Sequence, residues 1–229
     1  VVLPAFNEAR VIGKVVRGAL KVPRVERVIV VDDGSTDGTS AEARAAGASV
    51  VMHKRNMGVG AALRDGFTRG LRLGCGAVVV MGGDDQDRAE EIPRLLRKLD
   101  SGYDFVQGSR WMKRGKVVNI PLFRRVTTKI YSLLFSIAAG LKVTDGTNGF
   151  RAIRAELLKS VSLDQGWLDT YELEPYLFYQ AIKRGWRVCE VPVTKRYPGS
   201  GKGYTKMKPV RDWWRILRPL VLLGLGIRK

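Results

Sequence analysis

Residues 77–87 read Ala-Val-Val-Val-Met-Gly-Gly-Asp-Asp-Gln-Asp, an apolar run followed by two glycines, three carboxylates and an amide. The three valines predict a strand buried in a parallel sheet, because helices cover both faces of such strands. Ligands of open α/β sheets bind at the carboxyl ends of the strands, so the acidic residues are candidates for a binding site. Clustered carboxylates repel each other, which favours a divalent cation as their partner. The alternative is a solvated acidic turn before a helix, since Asp87 and Glu90–Glu91 suit a helix N-terminus.

Strands and helices alternate along the first half of the chain. Hydrophobic periodicity and turn residues predict strands at 1–3, 25–31, 49–52, 77–81 and 103–107, and helices at 8–20, 36–46, 56–73 and 90–99. Asn7 is the expected N-cap of the first helix. This alternation predicts an α/β fold with a doubly wound sheet and right-handed crossovers.

The positive charge of the chain is concentrated in its second half. The 229 residues carry a formal net charge of +18, and 45% of them are hydrophobic, enough for one large domain or a domain with an appendage. Residues 1–110 contain 17 Lys and Arg against 14 Asp and Glu, whereas residues 111–229 contain 23 against 8. The second half therefore predicts a surface that meets anions: nucleic acid, an anionic membrane or a phosphorylated substrate.

Cysteine, histidine and hydropathy exclude several classes of protein. Cys75 and Cys189 are too few for a disulfide framework or a cysteine zinc site, and His53 alone cannot form a multi-histidine metal cluster. The longest uncharged apolar run in the middle of the chain, residues 130–141, has 12 residues. A membrane-spanning helix needs about 20 residues, so the given sequence is not expected to cross a membrane.

Three further loops lie at predicted strand ends. Residues 4–8 follow the first strand, and the carboxylates of 32–33 end the second, where they can accept from a base N–H or a ribose hydroxyl. Gly58 and Gly60 allow the backbone to approach a ligand closely. Gly58-x-Gly60 lacks the third glycine of the dinucleotide fingerprint, and no Walker lysine is present. Each loop alone fits ordinary turn chemistry, but all of them share one predicted sheet edge with the acidic loop.

Several motifs together resemble one known family. They are Val-Leu-Pro-Ala-Phe-Asn-Glu at 2–8, Val-Asp-Asp-Gly-Ser-Thr-Asp-Gly-Thr at 31–39, Asn-Met-Gly-Val-Gly-Ala-Ala at 56–62, the acidic loop with Glu-Glu-Ile-Pro at 90–93, Gln-Gly-Ser-Arg at 107–110 and Asp-Gly-Thr-Asn-Gly-Phe-Arg at 145–151. In this order they resemble family 2 glycosyltransferases of GT-A type, closest to the polyprenyl-phosphate glycosyltransferases such as dolichyl-phosphate mannose synthase. The resemblance covers about residues 1–200.

The resemblance implies a domain organisation and an activity. The fold would be a GT-A, Rossmann-like mixed sheet, with residues 1–110 as the half that binds a nucleoside diphosphate sugar. Residues 111–200 would be the acceptor-binding half with an interfacial helix, and residues 201–229 a basic amphipathic segment. The implied reaction transfers a hexose, with mannose from GDP-mannose as the first candidate, to a polyprenyl phosphate. UDP-glucose or UDP-N-acetylglucosamine as the donor, and a soluble enzyme acting on a glycan, remain alternatives.

The resemblance also assigns residues on the donor side. The implied nucleotide-binding residues are Pro4, Ala5, Asn7, Glu8, Asp32, Asp33, Gly58, Gly83 and Asp84. Asp84 and Gln86, with Asp85 as a further candidate, would hold Mg²⁺ or Mn²⁺. Gly82 departs from the family pattern, in which the first residue of this metal motif is usually Asp. A sugar-nucleotide binder without activity is therefore another alternative.

On the acceptor side the resemblance implies a catalytic set and a phosphate site. The implied catalytic residues are Asp84, Asp145 and Arg110, and the candidates for the acceptor phosphate are Arg110, Arg125 and Arg196, because guanidinium groups pair with phosphate oxygens. Asp145 would orient the sugar or act as a base. Its alternative role is that of a turn aspartate, and Glu172 and Glu174 are second candidates for the base.

Two basic, apolar segments predict contact with a membrane surface. Leu122, Val126, Ile130, Leu133 and Ile137 recur at helical spacing beside lysines and arginines, a pattern typical of interfacial helices. The alternative is a helix packed in the core. Residues 195–229 hold ten Lys and Arg and one acid, with paired tryptophans that suit a headgroup boundary. The family resemblance also implies contact with a membrane, as peripheral attachment to its cytoplasmic face.

Nucleic acid is not an expected partner of this chain. A nucleic-acid-binding module would place its cations in a groove lined by stacking aromatic rings. In residues 111–229 the cations instead flank aliphatic runs. Lipid phosphate fits that arrangement better than a nucleic acid does.

Overall fold

A computed structural model of the chain describes residues 1–198 and 211–224, and within the second range the side chains of residues 214–222 only. The strands are β1 Val2–Ala5, β2 Ile29–Asp32, β3 Ser49–Met52, β4 Ala77–Val80, β5 Phe105–Ser109, β6 Lys116–Val118, β7 Arg151–Arg154, β8 Val188–Pro192 and β9 Thr194–Arg196. The helices are α1 Ala9–Leu20, α2 Thr39–Ala45, α3 Val59–Arg72, α4 Ile92–Asp100, α5 Leu122–Ala139, α6 Ala155–Ser160, α7 Leu173–Lys183 and α8 Arg211–Gly224.

Seven strands form one mixed sheet in the order β3-β2-β1-β4-β7-β5-β8. The strands β1 to β4 are mutually parallel, β7 is antiparallel to β4 and β5, and β5 is parallel to β8. A second, two-stranded sheet pairs β6 with β9. The five strands predicted from the first half all lie in the large sheet, which confirms the predicted α/β fold with a mixed sheet.

Helices cover both faces of this sheet. On β4 the side chains of Val78 and Val80 point to one hydrophobic cluster and Val79 to the other, because successive residues of a strand face opposite sides. Ile12 of α1 lies in the cluster of Val79, and Phe67 of α3 lies in the cluster of Val78. The valine run is therefore buried on both faces, as predicted for a doubly wound sheet.

The predicted N-cap of α1 is wrong. Glu8 occupies the N-cap position, and its side chain makes no capping hydrogen bond. The amides at this end instead donate to side chains at the start of α2 and just before it. The Glu8 amide donates to Thr39 Oγ1 at 2.8 Å, and the Ala9 amide donates to Asp37 Oδ2 at 3.2 Å. Asn7 has a positive φ of 54°, and its Oδ1 accepts from the Thr36 amide. Side chains distant in sequence replaced the local cap.

The helix α5 has an exposed apolar face. It buries Tyr131 and Phe135, whereas the five residues of the predicted apolar line are between 48% and 75% exposed. These five residues are Leu122, Val126, Ile130, Leu133 and Ile137. The alternative in which this line packs in the core is thus wrong, because another side of α5 faces the core.

The C-terminal helix α8 packs against α5 and α7. Leu220 is buried, whereas Trp214 and Val221 are exposed. Of the predicted basic segment 201–229, the structure describes the backbone of residues 211–224 and the side chains of residues 214–222. The side chain of Trp213 therefore lies outside the described ones. None of the described helices is both long and apolar enough to span a bilayer. The interfacial role of α5 and α8 and the functional division at residue 110 stay predictions.

Candidate active site

The loops predicted to form one site meet at the carboxyl end of β1. This strand lies between β2 and β4, so the loops after all three strands are neighbours. The Asp33 amide donates to the Ala5 carbonyl at 2.8 Å, and the Gly83 amide donates to the Pro4 carbonyl at 3.3 Å. The loop of Asp33 and the acidic loop therefore border the same strand end, as expected from the sheet.

Asp33 connects two of these loops through a buried carboxylate. Its Oδ1 accepts from the Met57 amide and its Oδ2 accepts from the Gly58 amide, both at 2.8 Å. His53 Nδ1 lies 2.7 Å from Asp33 Oδ1, and His53 Nε2 lies 3.1 Å from Asp65 Oδ2. Asp33 thus orders the turn before α3, and its nucleotide-binding role stays a prediction.

Asp32 is likewise used within the protein. It is buried at the end of β2, its Oδ1 accepts from the Ser35 amide at 2.9 Å, and its Oδ2 accepts from the Ser40 hydroxyl. These contacts shape the turn that leads into α2. If Asp32 contributes to nucleotide binding, it would do so by holding the shape of this turn as well as by direct contact through its carboxylate.

Gly58 and Gly60 lie against the protein's own backbone. A Cβ atom on Gly60 would lie 1.9 Å from the Leu168 carbonyl oxygen, and one on Gly58 would lie 2.3 Å from the Asp169 carbonyl oxygen. The Ala61 amide donates to the same Asp169 oxygen at 2.9 Å. The close approach predicted from these glycines is therefore to residues 168–170. Contact of Gly58 with a nucleotide stays a prediction.

The carboxylates of the acidic loop have different partners. Asp84 Oδ1 accepts from the Gln86 amide at 3.2 Å. Asp85, at a positive φ of 58°, forms a 2.5 Å ion pair with Lys14 of α1. Asp87 is buried and binds Lys195 Nζ at 2.9 Å. The loop is thus an ordered structure in which Asp84 is the acid without an ion pair among the described residues.

The donor atoms of this loop fit a hard divalent cation whose shell is completed by other ligands. In the described part of the chain, no group of three or more His, Cys, Asp or Glu residues is placed to hold a metal ion. Asp84 offers a half-buried carboxylate and Gln86 an amide. Mg²⁺ is commonly held by one or two carboxylates together with waters and substrate phosphates, and this donor set suits that mode.

Arg110 and Asp145, both predicted to be catalytic, bind each other. Arg110 Nε donates to Asp145 Oδ2 at 2.6 Å, and Nη2 donates to Asp145 Oδ1 at 3.0 Å. Nη2 also donates to Thr147 Oγ1 at 2.8 Å, and Nη1 donates to the Tyr197 hydroxyl. Four of the five guanidinium N–H donors are therefore taken within the described residues. Burial alone would lower the pKa of Arg110, but Asp145 and Tyr197 outweigh it and raise the pKa.

Glu190 of β8 anchors the loop that carries Asp145. Its carboxylate accepts from the amides of Thr144 and Asp145 at 2.8 and 2.9 Å, and from the Thr144 hydroxyl at 2.9 Å. Burial raises the pKa of Glu190, although these hydrogen bonds oppose the rise. No local sequence pattern indicates the role of Glu190, because its partners lie more than 40 positions away along the chain.

The other predicted acceptor arginines differ in their surroundings. Arg125 and Arg196 are exposed. The neighbouring Arg124 is half-buried, and its guanidinium lies 5.1 Å from the centre of the Tyr197 ring. Tyr197 therefore lies between Arg110 and Arg124. Helical spacing could have identified Arg124, because it precedes the buried Thr128 by four residues and so shares its face of α5.

A cavity of about 400 Å³ is lined by Arg110 and by residues of α5, α7 and α8. Its walls are mainly apolar, with Phe123, Ile130, Leu134 and Leu217 among them. Its polar lining residues are Arg110, Arg124, Thr127, Thr128, Thr147, Arg151 and Glu174. The cavity can therefore take a ligand with an anionic end and an apolar body.

The second candidates for a base are both ion-paired. Glu174 lies 3.0 Å from Arg151 Nη2 at the wall of the cavity. Glu172 is buried, accepts from the Thr170 hydroxyl and pairs with Arg218 of α8 at 2.9 Å. These pairs connect α7 to β7 and to α8. No observation assigns either glutamate as a base, and both roles stay predictions.

Comparisons with known proteins agree with this fold and these motifs. The family model described as Glycosyl transferase family 2 matches residues 1–162. Polyprenol monophosphomannose synthase of Mycolicibacterium smegmatis is 35% identical over 204 residues, which are 85% of this chain and 76% of that protein. Undecaprenyl-phosphate mannosyltransferase of Micrococcus luteus is 37% identical over 200 residues, 84% of this chain and 81% of that protein.

Solved structures with the same fold are also glycosyltransferases. Glucosyl-3-phosphoglycerate synthase of Mycobacterium tuberculosis, crystallised with Mn²⁺, UDP-glucose and phosphoglyceric acid, superposes with a TM-score of 0.74. The sequences are 22% identical, and the match covers 100% of this chain and 79% of that one. That likeness establishes the fold. With the family match over residues 1–162, it shows that the chain belongs to glycosyl transferase family 2 and is a glycosyltransferase with the GT-A fold.

Proposed function

We propose that this protein transfers a hexose from a nucleoside diphosphate sugar to a polyprenyl phosphate at a membrane surface. Mannose from GDP-mannose is the first donor to test, because both relatives described above are named for mannose transfer. The observation that carries the proposal is the mainly apolar cavity that Arg110 lines, together with the exposed apolar face of α5, whose Ile130 also lines this cavity. A soluble acceptor would need neither feature.

The acceptor phosphate would bind beside the cationic residues that line the cavity. Arg124 carries a cation there, and the Thr128 side chain lies one helical turn further along α5. Arg110 has one N–H donor left for a ligand once its bonds within the described residues are counted. Arg125 and Arg196, both exposed, are better suited to attracting the anionic lipid than to gripping it.

The chemistry needs no strong base. A phosphate oxygen of the acceptor attacks the anomeric carbon, the bond from that carbon to the donor diphosphate breaks, and the diphosphate leaves with the electron pair. The acceptor is already an anion, so it has no proton that must be removed. Asp145, which is ion-paired, therefore acts by positioning Arg110. A Mg²⁺ or Mn²⁺ at Asp84 and Gln86 would neutralise charge on the departing diphosphate.

The membrane part of the proposal rests on area and charge. Large apolar side chains exposed along α5 include Leu122, Phe123, Leu133 and Ile137. Burying such a side chain in a bilayer interface is worth about 1.5–3 kcal/mol, and each nearby Lys or Arg adds about 1 kcal/mol at an anionic surface. Arg125 and Lys129 are exposed on the same helix. Peripheral attachment needs no spanning helix at these magnitudes.

A transfer assay with matched acceptors tests the proposal. The purified protein is mixed with labelled GDP-mannose, UDP-glucose or UDP-N-acetylglucosamine and with vesicles that contain polyprenyl phosphate. The controls are vesicles with uncharged polyprenol and a water-soluble alkyl phosphate. We expect label in the lipid only with polyprenyl phosphate. Equal or faster transfer to the soluble phosphate, or to a glycan, would contradict the lipid acceptor.

Vesicle flotation tests the surface separately. The double variant Leu133→Glu/Ile137→Glu puts two charges on the exposed face of α5 and should lose binding to anionic vesicles while its unfolding temperature stays near that of the wild type. Met52→Glu is the matched control, because Met52 is also a large exposed apolar residue but lies on the edge strand β3. Loss of flotation by both variants would contradict a specific role of α5.

A further inference from the structure

Lys195 brings a cation to the acidic loop across 108 residues of sequence. It lies on the short strand β9, and its side chain is only 13% exposed. Its Nζ donates to Asp87 Oδ1 at 2.9 Å. A backbone hydrogen bond also joins β9 to the acidic loop, since the Arg196 amide donates to the Gln86 carbonyl at 2.9 Å. The ammonium group therefore has a fixed place beside the loop.

The carboxylates of Asp84 and Asp87 both lie beside Gly82. The Gly82 amide donates to Asp87 Oδ2 at 3.0 Å. A Cβ atom on Gly82 would lie 2.6 Å from Asp84 Oδ1 and 3.5 Å from Asp87 Oδ2. Both carboxylates thus border the space that a side chain at this position would fill. Asp87 already has a cation as its partner, whereas Asp84 has none among the described residues.

The electrostatics of Lys195 agree with this geometry. Burial by itself would lower the pKa of its ammonium group, but Asp87 and then Asp84 outweigh burial and raise the pKa. Lys195 is therefore firmly cationic and lies within the field of both carboxylates. Without this cation, Asp84, Asp85 and Asp87 would present three negative charges to an incoming diphosphate, and among the described residues the exposed Lys14 would be their one remaining ion-pair partner.

We propose that Lys195 binds the diphosphate of the donor and offsets the charge that this group acquires as it leaves. The inference rests on the proposed function, because it deepens the donor site and adds a residue to it. An ammonium group has three N–H donors, and one of them bonds to Asp87. The other two are directed to the diphosphate oxygens. Lys195 keeps its proton throughout, and the leaving diphosphate keeps the electron pair of the broken bond.

Nucleotide binding without a divalent cation isolates this contribution. Calorimetry in EDTA compares GDP with GMP and UDP with UMP, and the pair that the wild type binds more tightly is used. Lys195→Met should weaken binding of the diphosphate by about 10- to 100-fold, the range expected for hydrogen bonds to a charged group. Binding of the monophosphate should change less than threefold, because the contact with the second phosphate is the one removed.

Two further variants separate binding from a structural role. Lys195→Met leaves the buried Asp87 without its ion-pair partner, so Lys195→Met/Asp87→Asn removes both charges and should fold as the wild type does by circular dichroism. We expect this double variant to keep a low affinity for the nucleoside diphosphate. The affinity of Lys195→Arg should be within a few-fold of that of the wild type. Lys14→Met is the matched control, because Lys14 pairs with Asp85 of the same loop but is 67% exposed.

The outcomes are distinct. If the double variant regains wild-type affinity for the diphosphate, or if it loses both nucleotides equally, Lys195 only holds the loop and the inference is wrong. If Lys14→Met weakens binding of the diphosphate as much as Lys195→Met does, the effect comes from the overall positive charge near the loop, and the inference is also wrong. If the wild type binds neither GDP nor UDP with or without Mn²⁺, the proposed function fails and this inference fails with it.

Discussion

Asp145 holds the guanidinium of Arg110 with both of its carboxylate oxygens, at 2.6 Å from Nε and 3.0 Å from Nη2. The same carboxylate accepts from the Arg110 backbone amide at 3.0 Å. Both side chains are almost completely buried. A buried pair of this kind adds little net stability, because the cost of removing two charges from water cancels much of their attraction. Its main effect is to fix the geometry of the two side chains. Arg110 is therefore held in one orientation in the wall of the cavity.

Breaking this pair should destabilise the protein strongly. Asp145→Asn leaves the buried Arg110 without its ion-pair partner, and the free energy of unfolding should fall by about 3–5 kcal/mol. Urea denaturation followed by circular dichroism measures the change. Arg110→Met/Asp145→Leu removes both charges and should recover most of the stability while transfer activity stays low. Recovery of activity together with stability would show that Arg110 has no contact with the acceptor.

Substitution of Asp84 should reduce transfer activity more than substitution of the adjacent Asp85. Asp84→Asn removes the acid that has no ion pair in the described structure, and transfer should fall by about 100-fold or more, since a bound metal supplies several kcal/mol of charge stabilisation. The fold should remain intact by circular dichroism.

The comparison with Asp85 tests the metal assignment. Asp85→Asn breaks the exposed pair with Lys14, so the loss should be clearly smaller than for Asp84→Asn. Activity is measured against Mn²⁺ concentration for both variants. An equal loss in both would assign Asp85 to the metal as well, and full activity of Asp84→Asn in excess chelator would contradict the metal site.

Arg124 and Arg125 form a matched pair on α5. Arg124→Ala removes a cation from the wall of the cavity, and kcat/KM for polyprenyl phosphate should fall by about 10- to 100-fold, the value of a charge-assisted hydrogen bond. Affinity for the nucleotide should not change. Steady-state kinetics with the acceptor varied measures the effect.

Arg125→Ala should act on the membrane surface instead. Arg125 is exposed and does not line the cavity, so we expect about 1 kcal/mol weaker binding to anionic vesicles, or roughly fivefold. Its kcat at saturating vesicles should be that of the wild type. A larger loss of acceptor kcat/KM for Arg125→Ala than for Arg124→Ala would reverse the assignment of the two arginines.

Gly60 should tolerate no side chain. In Gly60→Ala the new Cβ would overlap the Leu168 carbonyl oxygen, so α3 or the segment 168–170 must move, at a cost of about 1–3 kcal/mol in the free energy of unfolding. Gly166→Ala is the control, because a Cβ there meets no atom within 4 Å. Urea denaturation compares the two. Equal stability of both variants would contradict the close packing of α3 on this segment.

The valine run and the periodicity of the first half were sufficient to predict the sheet. Val78, Val79 and Val80 are buried because helices cover both faces, and that requirement can be read from the residues themselves. The order of the loops along one edge followed from parallel strands, whose carboxyl ends lie on the same side. The exposed apolar line on α5 was also predictable, because helical spacing is a local property.

The sequence by itself therefore determined the layers of the fold, the edge that carries the loops and the apolar stripe, all of which follow from periodicities over a few residues. Only the tertiary structure decided the partner of each charge. Arg110 with Asp145, Lys195 with Asp87 and Glu172 with Arg218 are separated by 35 to 108 residues. Ion pairs of this kind leave no local pattern, because the partner is chosen by burial and by the packing of distant elements, and the sequence records neither.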